Sequence, residues 1–207
     1  MKAENLSHYR LIGDMFRYPD YTLINRLEIT KRIANQYPGT GKYIDEFETH
    51  ITNNDPDKLR EYYISTFDVH ALCYLDIGYV LFGEDYKRGE FLVNLKEEYR
   101  KADLSWGSEL PDHLPYLLLL ISETKEKDFV EELCWCLLIP ALKEMILNFR
   151  SETNVYKGLL QMLLVVLETD FQHVTYEQYQ INTDVKAGFL DCIGCSSKKS
   201  KKPVKTF

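Results

Sequence analysis

The sequence predicts an all-α, single-domain helical bundle. Three observations carry that prediction. Apolar residues recur at helical spacing in nearly every segment, and no strand-type alternation persists beyond a few residues. The breaks between the apolar stripes are filled by Pro, Gly, Asn and Asp, the residues that start and stop helices. At 207 residues the chain suits one compact domain with a substantial core. We expect that domain to run over 1–185, with a flexible Lys-rich tail over 186–207.

Taken in order, Leu6, Tyr9, Ile12, Met15 and Phe16 share one helical face that stops at Pro19. Leu23, Ile24 and Leu27 open a second helix, ended by Tyr37-Pro38-Gly39, and Tyr43, Ile44, Phe47 and Ile51 mark a third. Asn53 to Pro56 reads as a loop in which Asp55 caps the next helix and Pro56 takes its first position, where a missing N–H costs little. Leu59, Tyr62, Tyr63 and Phe67 stripe that helix. A non-alternating apolar stretch from Val69 ends at Gly83, a helix stop, and a charged helix follows from about Tyr86 to Ala102. Leu104 to Ser108 is a loop carrying Trp106. Asp128 and Glu131 read as the start of a long helix to Phe149, kinked by Pro140. Val155 to Leu167 is apolar nearly all round and is expected to be the central buried helix.

Between the Trp106 loop and that long helix lies Glu109-Leu110-Pro111-Asp112-His113-Leu114-Pro115, followed by leucines to Ile121. The local physics gives a loop turning into a buried helix, with Asp112 placed as its N-cap and Glu109, Asp112 and His113 at the mouth.

Composition excludes several functions. No apolar run reaches the length of a membrane span, and the N-terminus lacks the apolar region of a secretory signal, so we expect a cytoplasmic protein without membrane insertion. Five cysteines without such a signal are expected to stay reduced. The net charge of −7 conceals an asymmetry: Ser196 to Phe207 carries five lysines and no acid, leaving 20 basic against 32 acidic residues elsewhere. A body at −12 repels nucleic acid and favours a basic partner.

Sites for intrinsic chemistry are weak. Pro38-Gly39-Thr40-Gly41-Lys42 lacks the first glycine and the Ser/Thr of a phosphate loop and reads as a turn. Cys192 and Cys195 have metal or redox spacing, but no second pair completes a four-ligand site. Cys134 and Cys136 point apart on a helix; His70 and Cys73 can share a helical face as a packed pair. The five histidines pair with no Ser or Cys nucleophile. No catalytic residue, metal or cofactor is therefore assigned, and the chain is not expected to be an enzyme.

The span from Tyr62 to Ile121 carries a more specific signal. Tyr62-Tyr63-Ile64-Ser65-Thr66-Phe67-Asp68 is followed by Gly83-Glu84-Asp85-Tyr86-Lys87-Arg88-Gly89, then Leu95-Lys96-Glu97-Glu98-Tyr99-Arg100, then Glu109 to Pro115. In that order and spacing the strings resemble the NarJ-type nitrate reductase molybdenum-cofactor assembly chaperones, the delta-subunit group, relatives of the TorD/DmsD redox-enzyme maturation proteins. The strong match covers roughly 60 residues; the flanks agree only in helical character and length. The resemblance implies a helical chaperone of the TorD-like type. Such a protein binds the N-terminal leader segment of a molybdopterin-dependent catalytic subunit and assists cofactor insertion and complex assembly. It implies contact roles for Asp112 and His113.

The residues themselves add Glu109, Glu84 and Asp85 as acids for a basic leader, Tyr62, Tyr63, Phe67 and Trp106 as apolar anchors, and Arg88 and Asp68 beside them. Each also has a plain structural reading: Asp68 and Asp112 as caps, Arg88 as the ion-pair partner of Glu84, the aromatics as core. His113 is expected to change charge near neutrality and modulate the grip. Replacing Asp112 and His113 by alanine is expected to weaken leader binding without lowering stability. The protein is expected to be a monomer or weak homodimer. Two alternatives stay open, a structural subunit retained in the oxidoreductase complex and a small metalloprotein using the Cys192/Cys195 pair.

Overall fold

The structure, a computed structural model, describes residues 6–181. The Lys-rich tail, the Cys192/Cys195 pair and the 185/186 boundary expected from the sequence lie outside the described residues. Within them the elements run α1 (His8–Gly13) with a 3-10 turn over Asp14–Phe16, α2 (Leu23–Ala34), α3 (Gly41–Thr52), α4 (Pro56–Phe67), α5 (Ile77–Phe82) and α6 (Tyr86–Lys101). Then come α7 (Leu114–Glu123), α8 (Lys127–Glu131), a π-helical stretch over Glu132–Leu138, α9 (Ile139–Asn148) and α10 (Val155–Asp170). The sole extended pairing among the described residues is an isolated bridge between Asp76 and His113.

The apolar helix α10 is the axis of the core, as its sequence demands, and packs against α3 and α9. Its Tyr156 collects the rings of Phe47, Tyr62, Tyr63 and Phe67 around itself at centroid distances of 4.8–6.0 Å. The aromatic stripe of α4 is thus mostly committed inward. The Tyr62 hydroxyl accepts from the Val155 N–H at 3.0 Å, and the Tyr63 hydroxyl donates to the Phe16 carbonyl at 2.9 Å. The α4 cap is as expected, with Asp55 accepting from the Lys58 N–H at 3.0 Å. Helix α1 lies against α7, and Gly13 allows it: a Cβ there would sit 3.0 Å from Leu118 Cβ and 3.1 Å from the Pro115 carbonyl oxygen.

At the C-terminal end of α10, Asp170 receives Tyr9 Oη at 2.7 Å, His8 Nε2 at 2.9 Å and Tyr37 Oη at 3.0 Å. One carboxylate thereby ties α1 and the end of α2 to α10. Burial opposes its charge, and the donors of His8, Tyr9 and Tyr37 outweigh that, holding the carboxyl below its ordinary value.

The long helix over 127–149 differs from expectation at both ends of its first half. Asp128 makes no cap bond, and the N-cap position is taken by Glu126. Pro140 acts through a change of helix type: the chain is π-helical over Glu132–Leu138, and the proline opens α9. A proline has no N–H for the carbonyl four residues earlier. That carbonyl, on Cys136, instead accepts from the Tyr179 N–H at 3.0 Å. The extended segment after α10 is fastened there, with Trp135 Nε1 donating to the Tyr176 carbonyl at 2.8 Å and Tyr179 packed on Phe82. The His70–Cys73 helical pair is also corrected. Residues 69–75 are not helical, and His70 has φ of +53°, a left-handed turn. The loop folds back so that the Leu72 and Cys73 N–H groups donate to the Thr66 carbonyl at 2.8 and 3.2 Å.

Candidate functional site

The turn before α7 is welded to the turn before α5. Leu114 N–H donates to the Leu75 carbonyl at 2.9 Å, and Ile77 N–H donates to the Asp112 carbonyl at 3.0 Å. This pairing decides the orientation of Asp112. The residue is fully buried, and its Oδ2 accepts from the Gly78 N–H at 3.1 Å and Arg88 Nε at 3.3 Å. Gly78 is the second residue of α5, so its N–H is one of the donors a helix start leaves unpaired. Asp112 therefore does not cap its own helix as expected; it caps a helix start 34 residues upstream in sequence. The N-cap position of its own helix α7 is His113, which makes no side-chain cap bond. Asp76, in the N-cap position of α5, makes none either.

Space for the Asp112 carboxylate exists only because residue 78 is glycine. A Cβ there would lie 2.7 Å from Asp112 Oδ2 and 3.0 Å from the Phe91 ring. Burial pushes the Asp112 carboxyl above its ordinary range, against the pull of Arg88. The expected Glu84–Arg88 ion pair is replaced by this inward one. The Arg88 guanidinium also lies over the Tyr79 ring, 5.4 Å from its centroid.

His113 faces the other way and joins a different group. Its ring lies 5.9 Å from Tyr116, over which Arg17 is stacked at 5.2 Å. Tyr18 packs edge-on to Tyr63 at 5.6 Å, and Tyr63 senses the charges of Glu109 and Asp68. The structure thus brings together His113, Glu109, Tyr63 and Asp68, with Phe67 beside Tyr63 at 5.1 Å. Arg17, Tyr18 and Tyr116 belong to the same face and were missed in the sequence, where nothing links residues so far apart. Glu109 and Asp68 are exposed, as is Tyr18.

The remaining expected residues lie elsewhere. Asp85 caps α6 by accepting from the Lys87 N–H at 3.0 Å, Glu84 is exposed beside it, and Trp106 packs on Tyr99. Two further expectations are corrected. Burial lowers the His113 imidazole to about 4, so it stays neutral through the physiological range and cannot act as a charge switch there. Alanine at Asp112 cannot be silent for stability either, because it would orphan the Gly78 N–H and leave Arg88 without its carboxylate.

Among the described residues no group of three or more His, Cys, Asp or Glu side chains could hold a metal ion. The described cysteines 73, 134 and 136 are free and buried, with burial pushing the Cys73 thiol up to about 12. Among the described residues no helix is long and apolar enough to cross a membrane.

No family model matches the chain. It is 30% identical over 128 residues to the probable nitrate reductase molybdenum cofactor assembly chaperone NarJ of Bacillus subtilis (strain 168), covering 61% of this chain and 68% of that one. The chain belongs to the NarJ family. The nitrate reductase molybdenum cofactor assembly chaperone NarJ of Escherichia coli (strain K12) is 26% identical over 164 residues, covering 77% of this chain and 69% of its own. The fold of this chain recurs in a crystal structure from Archaeoglobus fulgidus described as that of a putative redox enzyme maturation protein. That structure superposes with a TM-score of 0.53 at 20% identity, over 81% of this chain and 96% of that one.

Proposed function

We propose that this NarJ-family chain is a molybdenum cofactor assembly chaperone for a nitrate reductase-like oxidoreductase. In this reading it acts by holding the N-terminal leader segment of the catalytic subunit while cofactor is inserted and the complex is assembled. No chemistry on the chaperone is needed: binding the immature subunit more tightly than the mature one gives the process direction.

The observation that supports leader binding is the convergence at the α7 entrance. Glu109 and Asp68 stand in water beside the rings of Tyr18, Tyr63, Phe67 and Tyr116, on a body with a large acidic excess. Carboxylates next to aromatic faces suit Lys and Arg side chains, whose stems lie on rings while their charges meet acids. Glu84 and Asp85, at the start of α6, add to the long-range attraction, which salt weakens. Asp112 and Arg88 serve from inside, by fixing the two helix entrances that display this face.

Calorimetric titration of a synthetic peptide carrying the leading segment of the nitrate reductase catalytic subunit, at two salt concentrations, tests the reading. Saturable binding that weakens at the higher salt is expected, with further loss in a Glu109→Gln, Asp68→Asn double variant. Absence of binding at both salts overturns leader recognition, and salt-independent binding overturns the electrostatic part.

A further inference from the structure

Beyond Ile181 the sequence gathers Lys198, Lys199, Lys201, Lys202 and Lys205, with no acid between Ser196 and Phe207, on a chain whose remainder is at −12. The face at the α7 entrance has the opposite character. Its Glu109 and Asp68 are exposed and both act on the Tyr63 hydroxyl, and neither is ion-paired among the described residues. Glu61, exposed two turns before Asp68 on the same side of α4, is also without an ion pair among them. Arg17, the cation of this face, is held by Asp14 at 2.9 Å and stacked on Tyr116. The three carboxylates therefore have no counter-charge among the described residues.

The place where the chain leaves the body brings the two together. Tyr179 donates its N–H to the Cys136 carbonyl and packs on Phe82 at 5.4 Å, at the C-terminal end of α5. The opposite end of the same helix is bonded to the Pro-Asp-His turn, through the Ile77 N–H and the Asp112 carbonyl. A helix of six residues is about 9 Å long, so the exit point and the turn before α7 stand a short way apart. Lys198 lies 17 residues past Ile181, and a chain of that length spans up to about 60 Å. Reach does not limit the encounter.

We propose that the segment Ser196–Phe207 docks on the acidic–aromatic face of its own chain, its lysines against Glu109, Asp68 and Glu61, and that the client leader must displace it. The docking stands on charge and tether alone; the displacement rests on the leader-binding reading above. A lysine stem can lie on the Tyr18, Tyr63 and Tyr116 rings while its ammonium meets a carboxylate. Each such contact is weak at an exposed site. A tethered segment, however, meets its site at an effective concentration on the order of millimolar, so several weak contacts suffice. The consequence is selectivity: a leader has to bind better than the chaperone's own basic segment before it gains the face.

Spin labelling of the full chain tests both halves. Cys73, Cys134 and Cys136 are buried, so in a Cys192→Ser chain a nitroxide is directed to Cys195, three residues before Lys198. In ¹⁵N-labelled protein at low salt, amides of the 61–68 and 109–116 stretches are expected to broaden more than those at the C-terminal end of α10, about 20 Å from the Tyr156 ring cluster. Replacing the five lysines by glutamine, or Glu109→Gln with Asp68→Asn, is expected to abolish that excess, as is high salt. Broadening that is absent or even over the body overturns the docking. So does broadening seen only between spin-labelled and ¹⁵N-labelled copies in a mixed sample. The leading-segment peptide is then expected to remove the excess broadening at the midpoint of its calorimetric heat. Excess that survives saturation overturns the displacement. A peptide that gives no heat removes the leader reading and the displacement with it, and leaves the docking to be judged on the spectra alone.

Discussion

Two aspartates organise this protein in opposite ways. Asp170 sits part-exposed at a helix end and collects side-chain donors: two tyrosine hydroxyls and an imidazole. Asp112 is sealed inside and takes a backbone N–H and a guanidinium. The first has its carboxyl held down; the second has its carboxyl pushed up by burial. The difference is one of replaceability. A knot of side chains can relax in part when one member is lost, because the half-buried His8 and Tyr37 can turn toward water even though Tyr9 cannot. A buried backbone donor is fixed by its helix and cannot turn away, so the loss of Asp112 leaves a debt the fold cannot redistribute.

The sharpest way to break that contrast is Gly78→Ala, since the added methyl competes with the Asp112 carboxylate and the Phe91 ring for the same space. A loss of about 3–5 kcal/mol in denaturant unfolding is expected, combining strain with an uncompensated Arg88. A loss below about 1 kcal/mol would show that the turn can rearrange freely. Asp112→Ala follows at about 3 kcal/mol. Asp112→Asn, which retains an acceptor for the Gly78 N–H, is expected to lose less, and equal losses for the two would assign the effect to charge alone.

Asp170→Ala comes next, at about 1–3 kcal/mol, because Tyr9 Oη loses its carboxylate acceptor inside the core. If Asp170→Ala proves costlier than Asp112→Ala in the same assay, the replaceability argument is wrong.

The smallest effects are in pH. His113 titrates lower in the folded chain than in the unfolded one, at about 4 against an ordinary value near 6.5. Between those values the unfolded state binds more protons, so the stability His113 contributes is present above about 6.5 and is lost as the pH falls toward 4. His113→Gln should flatten that part of the stability–pH curve. The raised Asp112 carboxyl acts in the reverse sense, its contribution declining as pH rises through its folded value, while the lowered Asp170 carboxyl loses its contribution only in stronger acid. Leader-peptide affinity should be level from pH 5.5 to 8, which a calorimetric series would check.

Much of this architecture was written in local spacing. The stripes of α2, α3, α4 and α10, the Asp55 cap and the Gly83 stop, which has φ of +59°, depend on residues within a turn or two of each other. The site was legible in composition and less so in orientation. Tyr63, Phe67, Asp68, Glu109 and His113 do meet, but Asp112 turns inward because a backbone bridge between two distant loops aims it at α5. No local pattern announces that bridge. Gly78 left one trace, a glycine inside the apolar run Ile77-Gly78-Tyr79-Val80, where only a close neighbour justifies the missing side chain. The π-helical stretch was half visible: Pro140 signalled a fault in the helix, while its resolution depended on Tyr179, far along the chain. The depressed His113 imidazole follows from burial, which sequence spacing does not specify.

The borrowed cap on α5 bears on how the molecule is made. A ribosome delivering this chain releases Gly78 well before Asp112, so the short α5 segment emerges without the group that completes its first turn. Consolidation of that corner waits on synthesis of the Pro-Asp-His turn, and fragments ending ahead of it should show residues 77–82 open to amide exchange.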